Sequence, residues 1–173
     1  MQVQVANAVV RAQILSHLEN LTLFDFMVYA QKQFLHRPTM AKFRHQGVTI
    51  LIFTSLKCRS MGLPDHCNNN LEAILTRHKE ILHDFITTTF PWTLQLQNVS
   101  LSTATATHQI SHPVQLNTDY FMFEPELFSG AKLRMTESAH VNVFGNEKVV
   151  LLEIKSHEHV QSLLRYLYEC IHK

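Results

Sequence analysis

The sequence predicts an α+β fold made of two related halves, each a set of antiparallel strands closed by a long helix. Three observations predict it. Phe53 and Phe144 are 91 residues apart (144 − 53 = 91), and Lys57/Lys148 and Asn7/Asn98 share that spacing. Each matched segment, Val48–Lys57 and Ala139–Lys148, is followed by a polar turn and a helix-like apolar pattern. Finally, each closing helix has one apolar stripe and can cover only one face of a sheet, so the other face stays open. A period this long exceeds that of a solenoid repeat. It indicates an internal duplication with half-units at 1–87 and 88–173 and approximate two-fold symmetry. A partner with its own approximate two-fold symmetry suits such a molecule, and duplex DNA is one.

The elements follow in order. Gln2 to Ala12 alternates and is rich in Val, which reads as a strand. Thr22 with Asp25 three residues on opens a helix as a capping pair. Leu23, Phe26, Met27 and Ala30 share its apolar face, and His36-Arg37-Pro38 is expected to end it. Lys42 to Lys57 reads as two strands around a Gln46-Gly47 turn, and Arg59 to Gly62 continues as strand until Leu63-Pro64-Asp65 breaks it. Leu71, Ile74, Leu75, His78 and Leu82 form the stripe of the first long helix, with a junction over Thr87 to Pro91. The second half repeats the order. A strand spans Thr93–Thr103, a short helix lies near Asn117–Phe121, a loop holds Glu124-Pro125-Glu126, strands run to Ile154, and a helix carries Val160, Leu163, Leu164, Leu167 and Ile171.

Composition narrows the function. With 46% hydrophobic and 17% charged residues, the chain can build a sizeable core and is not disordered. A net charge of +1 announces no nucleic-acid binder by itself, so any cationic surface has to come from placement. Cys58, Cys67 and Cys170 have no paired spacing and read as small core residues in a reducing compartment. No signal peptide and no membrane span is read. The chain has no P-loop, dinucleotide turn, HExxH or Gly-x-Ser-x-Gly, so neither an enzyme nor a cofactor is expected. His157-Glu158-His159, and His108 with His112, lack a third convergent ligand, so no metal is expected.

The second half resembles the TATA-box-binding protein (TBP) family. The resemblance is carried by Leu96-Gln97-Asn98-Val99, Phe123 to Gly130 with its Glu124-Pro125-Glu126-Leu127-Phe128 run, Leu133-Arg134-Met135, Phe144, and Lys148-Val149-Val150-Leu151. The first half resembles it through Ala6-Asn7-Ala8-Val9, Thr49 to Ser55, Lys57 and Gly62. The resemblance implies a pseudo-two-fold saddle, a curved antiparallel sheet with helices on the convex face. Its concave face enters a widened minor groove and inserts Phe wedges between base steps. Phe128 and Phe144 match the wedges of the second half, and Phe53 matches one of the first. The mate of Phe53 is unplaced, because the loop around Phe34-Leu35-His36-Arg37-Pro38 is shorter than the family pattern.

The same resemblance implies further roles. Asn7 and Asn98 would donate to groove acceptors at the centre of the site, and Val9 and Val150 would also bind DNA. Lys57, Lys148, Arg134 and Lys42 would face phosphates. Glu124, Glu126 and Leu127 would dock a TFIIB-type partner. A TFIIA-type factor, TBP-associated factors and RNA polymerase are further implied partners. The implied function is a general transcription initiation factor that binds A·T-rich promoter DNA in the nucleus. Arg59, Met61 and Leu152 depart from the residue types the family pattern implies for the concave face, Glu153 stands where the family turns with Gly and Pro64 where it has Lys, and these departures imply a relaxed or altered sequence preference. The alternative is an adaptor or decoy that keeps the docking loop and binds DNA weakly or not at all.

Overall fold

The computed structural model describes residues 2–33, 38–67, 69–135 and 138–171. The elements are β1 (Val3–Ser16), α1 (Leu23–Tyr29), β2 (Met40–His45), β3 (Val48–Phe53), β4 (Lys57–Met61), α2 (Leu71–Thr89), β5 (Leu94–Gln109), β6 (Phe121–Met122), β7 (Ala131–Leu133), β8 (His140–Val143), β9 (Lys148–Ile154) and α3 (His157–Ile171). They form two compact units. One comprises Ala8–Asn68 and Glu72–Ser102, and the other Met1–Asn7, Asn69–Leu71 and Thr103–Lys173.

In the Ala8–Ser102 unit the strands run β2-β3-β4-β1-β5, antiparallel at each hairpin pair. Rows across this sheet alternate in burial. Phe43, Ile50, Ser60 and Val10 form one buried row, and Ala41, Ile52, Cys58 and Ala12 another. Both face Phe26 and Met27 of α1 and Ile81, Leu82, Phe85 and Ile86 of α2. Phe90 and Trp92 stack at 5.7 Å beyond the helix and close the end of that core. The intervening rows are half-buried or exposed and have no helix over them. Period-two alternation thus assigns every strand residue to one face.

Local chemistry fixes the ends of the elements. The Asp25 carboxylate accepts from the Thr22 backbone N–H at 2.7 Å and from its hydroxyl at 2.8 Å, which starts α1. These bonds, the backbone one foremost, hold the Asp25 carboxyl below its ordinary pKa. The helix stops at Tyr29, well before the expected Pro38. Gln31 takes a left-handed φ of 54°, its N–H reaches the Val28 carbonyl, and Lys32 N–H reaches that of Met27 at 2.8 Å. This is a Schellman cap with Gln in the position usually held by Gly, which apolar spacing does not reveal. The His36-Arg37 part of the expected stop lies outside the described residues. The Gln46-Gly47 turn is as predicted, with φ of 42° and 81°. It is held to α2 by His45 Nε2 and Gln46 Nε2, which donate to the Asp84 carboxylate at 2.7 and 2.8 Å.

Other expectations are corrected. β1 reaches Ser16 and β5 reaches Gln109, each longer than the alternation suggested. The run after Phe53 breaks into a turn at Leu56 (φ 58°), so Lys57 begins a new strand instead of ending β3. α2 continues through Thr89, where Thr87 and Thr88 hydroxyls bond back to the carbonyls of the preceding turn. The predicted helix near Asn117–Phe121 is a turn, with Tyr120 and Phe121 N–H both on the Asn117 carbonyl.

In the Thr103–Lys173 unit the order is β1-β5-β9-β8-β7-β6. α3 packs on β9 and buries Val160, Leu163, Leu164, Leu167 and Cys170. Its buried rows are Ala106, Leu151 and Val141, and His108, Val149, Val143 and Ala131.

The repeat is visible in backbone geometry. The left-handed residues Leu56 (φ 58°) and Glu147 (φ 57°) keep the sequence spacing, as do Gly62 (φ 124°) and Glu153 (φ 60°). The Phe53 and Phe144 carbonyls close equivalent turns, accepting from Leu56 and Glu147 N–H at 2.8 and 2.9 Å. Asn7 and Asn98, however, are not equivalent. The Gln13 amide donates to the Ile14 and Ser55 carbonyls, and the Gln109 amide to those of Ile110 and Asn146. Gln13 therefore corresponds to Gln109 (109 − 13 = 96), which places Thr103 opposite Asn7 in the repeat. Asn98 instead lies earlier on β5 with a left-handed φ of 54°. The sequence match at Asn98 is five residues out of phase with the strand pairing.

Two buried polar groups lock the Ala8–Ser102 unit. Ser60 and His78 are both fully buried, and the Ser60 hydroxyl donates to His78 Nδ1 at 2.7 Å. His78 Nε2–H donates to the Gly62 carbonyl at 3.0 Å, so the ring is used as a neutral donor–acceptor. Burial pushes the His78 pKa below its ordinary 6.5. Its folded pKa being the lower one, the stabilisation is intact above pH about 6.5 and declines as pH falls below it. The midpoint of denaturant unfolding should fall between pH 7 and 5, and His78→Gln should show a shallower fall. Parallel pH profiles for the two proteins would show that His78 is not the titrating group.

Candidate nucleic-acid interface

The uncovered face of the Ala8–Ser102 sheet is cationic. One row across it is Lys42, Leu51, Arg59 and Arg11, and the next is Arg44, Thr49, Met61 and Val9. Lys57 begins β4 opposite Gln13. No Asp or Glu occurs anywhere in β1 to β4. Five basic side chains therefore stand on one face without a carboxylate among its strands. Arg11 and Arg59 are direct cross-strand neighbours, an arrangement that costs a few tenths of a kcal/mol, roughly. The two are drawn apart: Arg11 Nε donates to Ser100 Oγ at 3.0 Å, while the Arg59 guanidinium lies 5.6 Å from the Phe53 ring centroid.

Phe53 is half-buried at the end of β3, beside Asn98, Lys57 and Arg59 in a surface cavity of about 720 Å³. Asn98 thus joins the predicted wedge and cation of the first half. Asn7 is exposed on β1, and Val9 is half-buried opposite Met61.

In the Thr103–Lys173 unit the open row is Thr107, Val150, Asn142, Lys132 and Met122. Lys148 is exposed at the start of β9 and Val150 is half-buried in its middle. Arg134 follows β7 with its side chain exposed, and strand alternation puts it on the side of Lys132. β9 bulges at Leu152-Glu153 across from Thr105, with Glu153 exposed in its left-handed conformation.

Phe128 and Phe144 pack edge to face with centroids 5.5 Å apart, both half-buried. Such a pair adds about 0.5–1.5 kcal/mol beyond area burial. Lys132 Nζ lies 5.4 Å from the Phe128 centroid. A cation therefore borders one predicted wedge in each unit, Arg59 at Phe53 and Lys132 at Phe128. The rings can close together because Gly130 has no side chain. A Cβ there would stand 2.7 Å from Phe128 Cε1 and 3.0 Å from Phe144 Cε1.

The loop before these rings is a tight turn in which Leu127 and Phe128 N–H both bond the Glu124 carbonyl, at 3.0 and 2.9 Å. It projects Phe123 and Leu127, which are 59% and 82% exposed, on either side of the exposed Glu124 and Glu126.

Sequence reasoning did not single out Arg11, Arg44, Lys132 or Asn142, and took Arg59 as a departure from pattern. Alternation along β1, with Ala8, Val10, Ala12 and Ile14 buried, would have put Arg11 on the open face. Cys58 and Cys170 are buried as expected, and burial pushes the Cys58 thiol up to about 12; Cys67 is only half-buried and is not the core residue the sequence suggested. Among the described residues no three His, Cys, Asp or Glu side chains gather as a metal site, and no helix is long and apolar enough to cross a membrane.

An open, cation-studded antiparallel sheet backed by helices, with Phe53 and the Phe128–Phe144 pair at its turns, defines a duplicated α+β scaffold with one sheet face uncovered. Residues 87–173 match the family model "Transcription factor TFIID (or TATA-binding protein, TBP)". The chain belongs to the TATA-binding protein family. Methanococcus jannaschii TBP has the same fold, with a TM-score of 0.70 and 20% identity over 99% of this chain and 98% of that one. No curated protein sequence matches significantly.

The aromatic pair gives a direct check. Gly130→Ala should destabilise the protein by about 1–3 kcal/mol, as overpacking does, and should alter the near-ultraviolet circular dichroism of the Phe128–Phe144 pair. An unchanged unfolding midpoint with an unchanged aromatic signal would contradict the close approach.

Proposed function

We propose that this TBP-family transcription factor is a promoter-binding initiation factor that uses the open sheet face to grip duplex DNA in the minor groove. The carrying observation is the carboxylate-free face with Arg11, Lys42, Arg44, Lys57 and Arg59. Net charge near zero gives no general attraction to DNA, so this segregation is what supplies it. Phe53, Phe128 and Phe144 act as wedges at the turns, with Arg59 and Lys132 placed to follow the backbone as the groove opens. Val9 and Val150 make the apolar floor, Lys148 and Arg134 reach phosphates, and Asn98 and Asn7 supply polar contacts at separate points of the site. Such a factor acts in the nucleus and carries out no chemistry on its ligand.

The exposed turn at Glu124, Glu126 and Leu127 is the proposed dock for a TFIIB-type factor, which in turn brings RNA polymerase. A preset turn with two carboxylates and an apolar tip fits a basic cleft at low entropic cost. TFIIA-type and TBP-associated factors are further partners of the same class. The adaptor reading shares this dock, and DNA affinity separates the two.

Arg11→Gln with Arg59→Gln should weaken duplex binding on A·T-rich and G·C-rich sequences alike. It should also lower the slope of log K against log salt by about 2. An unchanged slope would place both guanidiniums away from phosphate, and no wild-type binding at low salt would favour the adaptor.

Glu124→Arg with Glu126→Arg should abolish TFIIB-type binding, since losing one partner of a buried charge pair already costs about 2–5 kcal/mol. DNA affinity should hardly change. Phe128→Ala should instead reduce DNA bending and spare the protein partner. Equal damage to both activities by both variants would refute the division between dock and wedge.

A further inference from the structure

Among the described residues, Asn142 Oδ1 is the buried side-chain oxygen or nitrogen that lacks a hydrogen-bond partner. Asn142 is 6% exposed and lies in the open row between Val150 and Lys132. It borders a cavity of about 590 Å³ with Met122, Phe128, Lys132, His140 and Leu152. Lys132 is its direct cross-strand neighbour, yet the ammonium lies over the Phe128 ring. The first-half counterpart of Asn142 is Leu51 (142 − 51 = 91), in the open row between Lys42 and Arg59. One half therefore carries a half-buried apolar side chain in this row where the other carries an unpaired acceptor, its oxygen buried beside the cavity.

The minor groove makes this difference legible. A·T and T·A pairs offer only acceptors there, and G·C adds one donor, the guanine 2-amino group. A Leu against that amine leaves it buried and unpaired, which disfavours G·C. An unpaired carbonyl oxygen against A·T is in turn left unpaired, and against G·C it is satisfied.

We infer that the second-half face accepts a G·C pair, Asn142 Oδ1 taking a hydrogen bond from the guanine 2-amino group, while Leu51 keeps the first half selective for A·T. This rests on the proposed use of the open face for duplex DNA. The site preferred by this protein is accordingly asymmetric, with a G·C position on one side, and that asymmetry orients the protein on its site.

The test moves a single G·C pair stepwise through an A·T duplex and compares it at each step with inosine·C, which lacks only the 2-amino group. For the wild-type protein, G·C should bind about fivefold more tightly than inosine·C at one position, the value of one hydrogen bond. Asn142→Leu should erase that difference, with an unfolding midpoint no lower than wild type. Equal binding of G·C and inosine·C by the wild type at every position would overturn the inference and leave DNA binding standing. A difference that survives Asn142→Leu would overturn the assignment to Asn142. Failure to bind any duplex at low salt would overturn the DNA-binding reading and this inference with it. The wild-type comparison decides the matter even if the variant misfolds.

Discussion

The structure depends on the burial of only one face of each sheet. α1 and α2 cover one side of β1 to β4, and α3 covers one side of β9. Strand residues that cannot reach a helix have no core to join, and period two sends every second residue there. The physical demand that Val10, Ala12, Ile50, Ile52 and Cys58 be buried therefore leaves Val9, Arg11, Leu51 and Arg59 on the far side. Binding surface and core come from a single alternation, and a one-residue slip in any strand would exchange them.

The open face also shows why a nearly neutral chain can serve as a nucleic-acid binder. Its acids are kept elsewhere. Asp25 caps α1, Asp84 ties the β2–β3 turn to α2, and Glu124 and Glu126 sit in the turn before Phe128. The bases gather on β1, β2 and β4. Arg11 beside Arg59 and the left-handed Glu153 are both unfavourable for folding alone. Strain of this kind concentrates where a surface is shaped for a ligand. The second unit repeats the plan with different chemistry, Asn142 replacing Leu51 and Glu153 replacing Gly62.

Much of this was legible in the sequence. The duplication, the capping pair at Thr22 and Asp25, the Gln46-Gly47 turn and the α2 and α3 stripes all have local signals that tertiary packing supports. The pairing of Phe53 with Phe144 was legible in the spacing, but the turns that follow them were not, because the left-handed step at Leu56 and at Glu147 carries no glycine to announce it. The misses share another cause. The Gln31 cap, the Asn117 turn and the five-residue phase shift of β5 depend on hydrogen bonds that no apolar period encodes. Asn98 matched a motif in type and spacing, yet strand pairing places Thr103 at that point. Arg11 was overlooked because a lone cation in a Val-rich strand reads as surface until its cross-strand neighbours are known.

Methyl NMR during titration with an A·T-rich duplex tests the central claim most directly, because adjacent residues serve as each other's controls. The open-face methyls of Val9, Leu51, Met61, Val150 and Leu152 should shift strongly. Those of Val10, Ile50, Val149 and Leu151, one residue away and facing the helices, should shift little. Shifts concentrated on α2 and α3, or equal shifts in both sets, would contradict binding through the uncovered face of the sheet.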